Sequence, residues 1–160
     1  MDSVPPLYKS SYLMGQFVLD LYLLEESILL NQKADIQRNR KKAFQSGMHA
    51  FKNSKKYASD RTEVFRLMGL FYWLIGRQNK AVHWWMGSIK EGERLGARVE
   101  LARTHMEMGS RLLEGKSTFR EQGHMKPEEY LERARKSFEA MDLEWDLEGL
   151  DKIISYGRSP

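Results

Sequence analysis

A chain of 160 residues with 41% hydrophobic composition is long enough to bury one sizeable core and too short for two large domains. It has no cysteine, which excludes disulfides, thiolate chemistry and Cys-ligated zinc and suits a reducing, cytoplasmic setting. The net charge of +4 hides a division: residues 33–61 are strongly basic, whereas 139–151 hold six acidic residues and no basic one.

Residues 1–9 carry no basic-then-apolar targeting pattern and are expected to be a disordered lead outside the fold. A first helix is expected over about 10–30. Its apolar stretch contains Gln16, Asp20, Glu25 and Glu26. A charge at a bilayer centre costs roughly 2.5 to 3.5 kcal/mol, so no membrane partner is expected. A second, basic helix is expected over about 35–58. Asp60 with Glu63 has the form of a capping box opening a third helix, which Gly76 closes. The fourth helix is expected over about 78–95 with Gly96 after it, and the fifth over about 97–114 with Gly115 after it. Residues 116–126 have loop character. Pro127 suits the first position of a sixth helix, with Glu128 and Glu129 in the first turn, and a seventh is expected over about 145–156. Four prolines, three of them near the ends, and no sustained alternation of period two leave an all-α reading. Links this short make consecutive helices antiparallel neighbours.

Residues 62–95 span about 34 positions, and within them Phe65, Met68, Gly69 and Tyr72 share one helix face while Ala81, Trp85 and Ser88 share another. Small Gly69 and Ala81 would let two helices approach closely, with Tyr72 and Trp85 filling the space beside that contact. Leu101 and Ala102 with Ala134, Phe138 and Met141 repeat the pattern downstream, and Met14 and Gly15 with Gly47, Phe51 and Ser54 repeat it upstream. In both outer units the small residues lie about 32 positions apart instead of about 12. In the downstream unit the extra residues are expected to lengthen the first helix by about two turns and to add the 116–126 loop.

These residues resemble the tetratricopeptide signature. The resemblance implies an α-α superhelix of about three helical hairpins, units about 10–58, 62–95 and 97–141, with an extra C-terminal helix. A second likeness covers about residues 60–154. Glu93-Arg94-Leu95-Gly96-Ala97-Arg98-Val99-Glu100-Leu101-Ala102-Arg103-Thr104, Tyr130-Leu131-Glu132-Arg133-Ala134 and Met141-Asp142-Leu143-Glu144-Trp145-Asp146-Leu147 look like the C-terminal repeats of large bacterial signalling proteins. Those proteins carry a nucleotide cyclase or kinase domain and an ATPase module. The likeness implies a helical tail and transfers no cyclase activity.

No phosphate-binding loop, dinucleotide fingerprint or HExxH occurs, and His49, His83, His105 and His124 read as packing or surface residues, so no metal or cofactor is expected. Adjacent pairs such as Glu25-Glu26 diverge by about 100° on a helix and do not converge on one substrate, so the chain is not read as an enzyme. The expected partner is a protein or peptide. The resemblance implies that Tyr72 and Trp85 point into the hairpin, whereas Glu63, Arg66, Leu70 and Trp73, with Gln16 and Arg103 from neighbouring first helices, line a concave groove. The first helix has almost no polar face. Phe17, Leu21, Leu24 and Ile28 are therefore expected to form a self-association surface, covered by a second copy in a homodimer or by an upstream repeat. Arg38, Lys41, Lys42, Lys52, Lys55 and Lys56 form a basic patch. Phe44, Gly47, Phe51 and Ser54 fall at inward spacing, which leaves the lysines as a solvated face. Binding of nucleic acid or an acidic partner through residues 33–61 is the alternative reading.

Overall fold

The computed structural model describes residues 6–114 and 125–157, and these fold as seven α-helices with one 3-10 turn and no strand. The helices are α1 Pro6–Leu29, α2 Lys33–Ser54, α3 Arg61–Leu74, α4 Gln78–Leu95, α5 Arg98–Leu113, α6 Pro127–Glu139 and α7 Glu144–Gly157, and the 3-10 turn is Ala58–Asp60. The chain is therefore all-helical, packed as hairpins α1/α2, α3/α4 and α5/α6, with α7 laid on α6 and α5. No helix among the described residues is long and apolar enough to cross a membrane.

The first helix starts earlier than expected, so residues 6–9 of the supposed lead are helical. The fifth helix is not lengthened: α5 has 16 residues against 14 in α3. The extra residues of that unit fall after it, where 115–124, including Gly115, His124 and most of the expected loop, lie outside the described residues. The longer helices are instead α1 and α2, with 24 and 22 residues. Four turns share one device. Residues Asn31, Gly76, Gly96 and Asp142 take positive φ, and in each case the next N–H donates to a carbonyl five residues back: Gln32 to Ser27, Arg77 to Tyr72, Ala97 to Gly92 and Leu143 to Phe138. The capping box expected at Asp60 does not form. Its side chain caps nothing in α3 and instead accepts a hydrogen bond from the Ser10 hydroxyl of α1.

Each hairpin is closed by a side chain set directly on a glycine backbone. A Cβ on Gly47 would come within 2.8 Å of the Phe17 ring, one on Gly69 would overlap Trp85, and one on Gly109 would meet Leu131 at 2.8 Å. The central contact is the one expected. In the first hairpin the glycine belongs to the second helix, and Gly15 of the first is exposed with nothing near it. Ala102 and Ala134 are both buried, as their spacing predicts. Where α3, α4 and α5 meet, Ser88 donates to the Thr62 carbonyl at 2.7 Å and lies 2.8 Å from the Thr104 hydroxyl.

Three clusters form the core. The first joins Phe17, Leu21, Leu24 and Ala43 to Val64, Leu67, Met68 and Phe71. The second joins Trp73, Ala81 and Trp85 to Met108 and Tyr130, and the third joins Ala102 and Ala134 to Phe138 and Leu150. This overturns the placement of the proposed self-association residues. Phe17 is 0% exposed, Leu21 and Leu24 are buried with it, and Ile28 packs against them half-buried. Because α1 is apolar on all sides, burying that stripe against α2 and α3 leaves another outside: Tyr8, Tyr12, Val18, Leu19, Tyr22, Leu29 and Leu30.

Replacement of Gly69 by Ala is expected to cost about 1 to 3 kcal/mol, because Trp85 cannot retreat without disturbing the second core cluster. Gly15→Ala in the exposed face of α1 should gain roughly 0.5 to 1 kcal/mol from helix propensity. Urea unfolding of the two variants should move in opposite directions. A second expectation concerns His105, which is buried beside Tyr130 with no hydrogen-bond partner for Nδ1. Burial, reinforced by the nearby Arg133 charge, pushes its imidazole down to about 4. The unfolded chain therefore takes up a proton that the folded chain refuses, and stability falls as pH drops from the ordinary histidine range towards that value. His105→Gln should remove roughly 1 to 2 kcal/mol of the stability lost between about pH 7 and about pH 5, read from urea midpoints at each pH.

Candidate functional site: a groove over the third helix

The first helices of the three hairpins, α1, α3 and α5, pack side by side. Positions three and four apart on one helix share a face, so α3 presents Glu63, Arg66, Leu67 and Leu70 as one stripe. Val18, Leu21, Tyr22 and Glu25 of α1 wall one side, Arg103, Met106 and Glu107 of α5 the other, and Trp145 and Asp146 of α7 close over the α5 side. The space enclosed is about 450 Å³.

Four of the six expected groove residues, Glu63, Arg66, Leu70 and Arg103, therefore meet in one cavity. Gln16 does not reach it and donates to Asp20 at 3.1 Å on its own helix. Trp73 is a correction. It is 7% exposed, tilted against Trp85 with ring centres 5.6 Å apart, and its indole N–H donates to Glu114 at 3.1 Å. It supports the groove from behind and offers no surface to a ligand. The residues missed from sequence are Val18, Tyr22, Glu25, Leu67, Met106, Glu107, Trp145 and Asp146. The spacing of Glu107 and Arg111, four apart on one helix, was the available signal for the ionic part. The arrival of α7 at this face left none.

Three arginines organise the polar side of this face. Arg66 donates from Nε and Nη2 to Glu100 at 3.3 and 3.2 Å and lies 3.8 Å from Glu63. Arg103 makes a two-pronged contact with Asp146 at 2.9 and 3.2 Å and donates to Glu100 at 2.9 Å. Arg111 gathers three carboxylates: Glu25 of α1 at 2.7 Å, Glu107 at 2.9 Å and Glu114 at 2.8 Å. Both Arg103 and Arg111 are held more firmly protonated than usual. For Arg103 the hydrogen bond to Asp146 is the main cause. For Arg111 burial works against the charge, and Glu107 and Glu25 outweigh it.

Six carboxylates, those of Glu25, Glu63, Glu100, Glu107, Glu114 and Asp146, thus surround three guanidiniums. The surplus is negative, and it is felt at Glu63. Burial raises the pKa of that carboxyl, Glu100 raises it further, and Arg66 and Arg103 offset only part. Opposite this polar floor, Tyr22 is 61% exposed and Trp145 is 81% exposed, so the rim presents two aromatic rings to solvent.

The basic patch stands apart from the groove. Arg38 is paired with Asp35 at 2.7 Å and the Lys55 ammonium sits 5.3 Å above the Phe51 ring, while Lys42 and Lys52 of α2 and Lys56 of the turn after it are exposed. Lys41 borders a separate depression. Of the stripe expected to point inward, Gly47 and Ser54 are buried and Phe51 half-buried, but Phe44 is 44% exposed at the edge of that depression. Among the described residues no group of three His, Asp or Glu side chains is placed to hold a metal ion.

Arg111→Met should leave three carboxylates facing one another and cost roughly 2 to 3 kcal/mol, less than for a fully buried pair because Glu25 and Glu114 are partly solvated. Glu25→Gln, which removes one of three partners, should cost well under half of that in the same urea titration.

Compared with family models, curated proteins and solved structures, the chain matches none of them.

Proposed function

We propose that this chain is a non-catalytic protein-interaction module of the tetratricopeptide kind, whose groove over α3 takes a short segment of another protein that carries a basic residue between apolar ones. The observation that carries this reading is the mismatch on the groove face, where six carboxylates meet three arginines. Burial, and after it repulsion from Glu100, raises the pKa of Glu63, and a ligand cation placed beside it offsets both. Val18, Leu70 and Met106 offer apolar contact beside it, and Tyr22 and Trp145 supply the large, stiff side chains that carry most binding energy at interfaces. Three helical hairpins whose first helices line one face fit a tetratricopeptide arrangement, and the residues around Gly69, Ala81 and Trp85 support it. Membership of a larger cytoplasmic signalling protein of the cyclase and ATPase type rests on the sequence resemblance alone.

Fluorescence anisotropy tests the reading. Labelled peptides with Arg or Lys between leucines should bind, and matched peptides with Glu in that place should not. Glu63→Gln and Tyr22→Ala should each weaken binding about tenfold, or about 1.4 kcal/mol, with helicity by circular dichroism unchanged. A preference for the acidic peptides, or indifference to both substitutions, would refute the groove assignment.

A further inference from the structure

A second concave surface lies away from the groove. Gln37, Arg40, Lys41 and Phe44 of α2, Phe71, Tyr72 and Ile75 at the end of α3, Arg77 of the following turn and Lys80 of α4 enclose about 650 Å³. Four cations ring an apolar floor, and no carboxylate lines it. All four are exposed, and none forms an ion pair with another described residue. The α4 helix begins beside them with no acidic residue in its first turn and no side chain capping it, so the positive end of its dipole adds to the same field.

The floor is not a stacking platform. Phe71 is buried, and the Tyr72 ring lies parallel to Trp84 at 6.4 Å with the Lys80 ammonium 5.4 Å from its centre. With those positions taken, only Phe44 remains, 44% exposed and tilted against Phe71, which is one ring and not the succession of rings on which single-stranded nucleic acid stacks. What the surface offers is an edge of Phe44, Phe71 and Ile75 against which one bulky apolar side chain can rest, with cations on every side to meet acidic residues flanking it.

The same chain carries such a side chain. Trp145, at the start of α7, is the most exposed large hydrophobic residue described. The exposed acidic residues around it in sequence that form no ion pair with another described residue are Glu139, Asp142, Glu144 and Glu148, since Asp151 is paired with Arg135. Four acidic residues around one tryptophan match four cations around one apolar floor. Within a single copy they belong to different parts of the stack, since α7 packs on α5 and α6 while the basic surface is built by α2, α3 and α4.

We infer that these two surfaces join successive copies of the chain head to tail, with Trp145 of one copy seated on the Phe44–Ile75 floor of the next and its acidic neighbours paired with Arg40, Lys41, Arg77 and Lys80. Such a contact is heterologous, so head-to-tail copies build a ring where the rotation between them closes and an open series where it does not. It leaves Glu63, Arg66, Leu70 and Tyr22 untouched but takes Trp145 from the rim of the groove, so a neighbouring copy and a peptide in the groove compete for that one ring; the contact itself needs no peptide.

Light scattering over a dilution series of the full chain tests it. The mass should rise with concentration past that of a dimer at low salt, and association should weaken at least about tenfold at high salt because its charges are exposed. Trp145→Ala and the double change Lys41→Glu with Arg77→Glu should each abolish association, with helicity retained because all three residues are on the surface. Mixed together, the two defective proteins keep one intact knob and one intact socket between them, and should form a one-to-one dimer and nothing larger. Glu63→Gln and Tyr22→Ala should leave the series unchanged, which separates this contact from the groove. A monomer at every concentration, a dimer insensitive to both sets of changes, as pairing through the exposed face of α1 would give, or a mixture that stays monomeric would each overturn the inference.

Discussion

The seating of Trp85 on the bare backbone of Gly69 is the contact from which the rest of the molecule follows. It brings α3 and α4 closer than side chains on both helices would allow, and the indole N–H then donates to the Arg66 carbonyl at 3.2 Å. That bond holds the stretch of α3 whose Arg66 side chain enters the groove. The opposite flank of Trp85 rests on Trp73, Trp73 donates to Glu114, and Glu114 shares Arg111 with Glu25 of the first helix. One chain of contacts therefore runs from the centre of the middle hairpin to the walls of the groove on both sides. A groove held this way is shaped before a ligand arrives, which lowers the ordering cost of binding.

The arginines of the groove contribute shape more than charge. Each is engaged by at least two carboxylates, so none is free to meet an anionic ligand, and together they fix the spacing of α1, α5 and α7. Paired and partly buried charges of this kind return little net stability, because desolvation consumes most of the attraction. Their value lies in geometry. A planar guanidinium with two prongs on Asp146 sets where α7 crosses α5, a position that apolar contacts alone would leave loose.

How far this could be read from sequence depended on whether the determining partner was local. Gly76 and Gly96 announce their turns because glycine is the usual residue at positive φ. Asn31 and Asp142 make the same turn without announcing it, since Asn and Asp occur everywhere else as well. The middle hairpin was legible because Gly69, Ala81 and Trp85 keep a regular spacing. The first was misread at Gly15, where a small residue at the right interval has no ring to receive and the real contact joins Gly47 to Phe17. On α1 the apolar pattern runs all round the helix, so periodicity could not choose between the stripe of Phe17, Leu21 and Leu24 and that of Val18, Leu19 and Tyr22. Packing against Met68 and Phe71 made the choice. The α3 stripe of the groove is visible in the spacing of Glu63, Arg66 and Leu70, but the same spacing includes Trp73, whose acceptor, Glu114, lies 41 residues away and turns it inward.

The uneven distribution of charge along the sequence becomes a division by helix in the folded chain. The inner face of the first helices and the turn into α7 carry the acidic surplus, whereas α2 and the start of α4 carry unpaired cations. Had the two sets been interleaved, neighbouring ion pairs would have neutralised both, as Arg38 and Asp35 do on α2. Segregation keeps each field intact at the surface, within the roughly 8 to 10 Å over which salt leaves it effective. A net charge of +4 therefore understates what a partner meets: an anionic groove with an aromatic rim on one surface, and a cationic socket with an apolar floor on another. No side chain lines both cavities, so partners of opposite character meet different walls, and Trp145 on the rim of the groove is the one residue that both proposed contacts draw on.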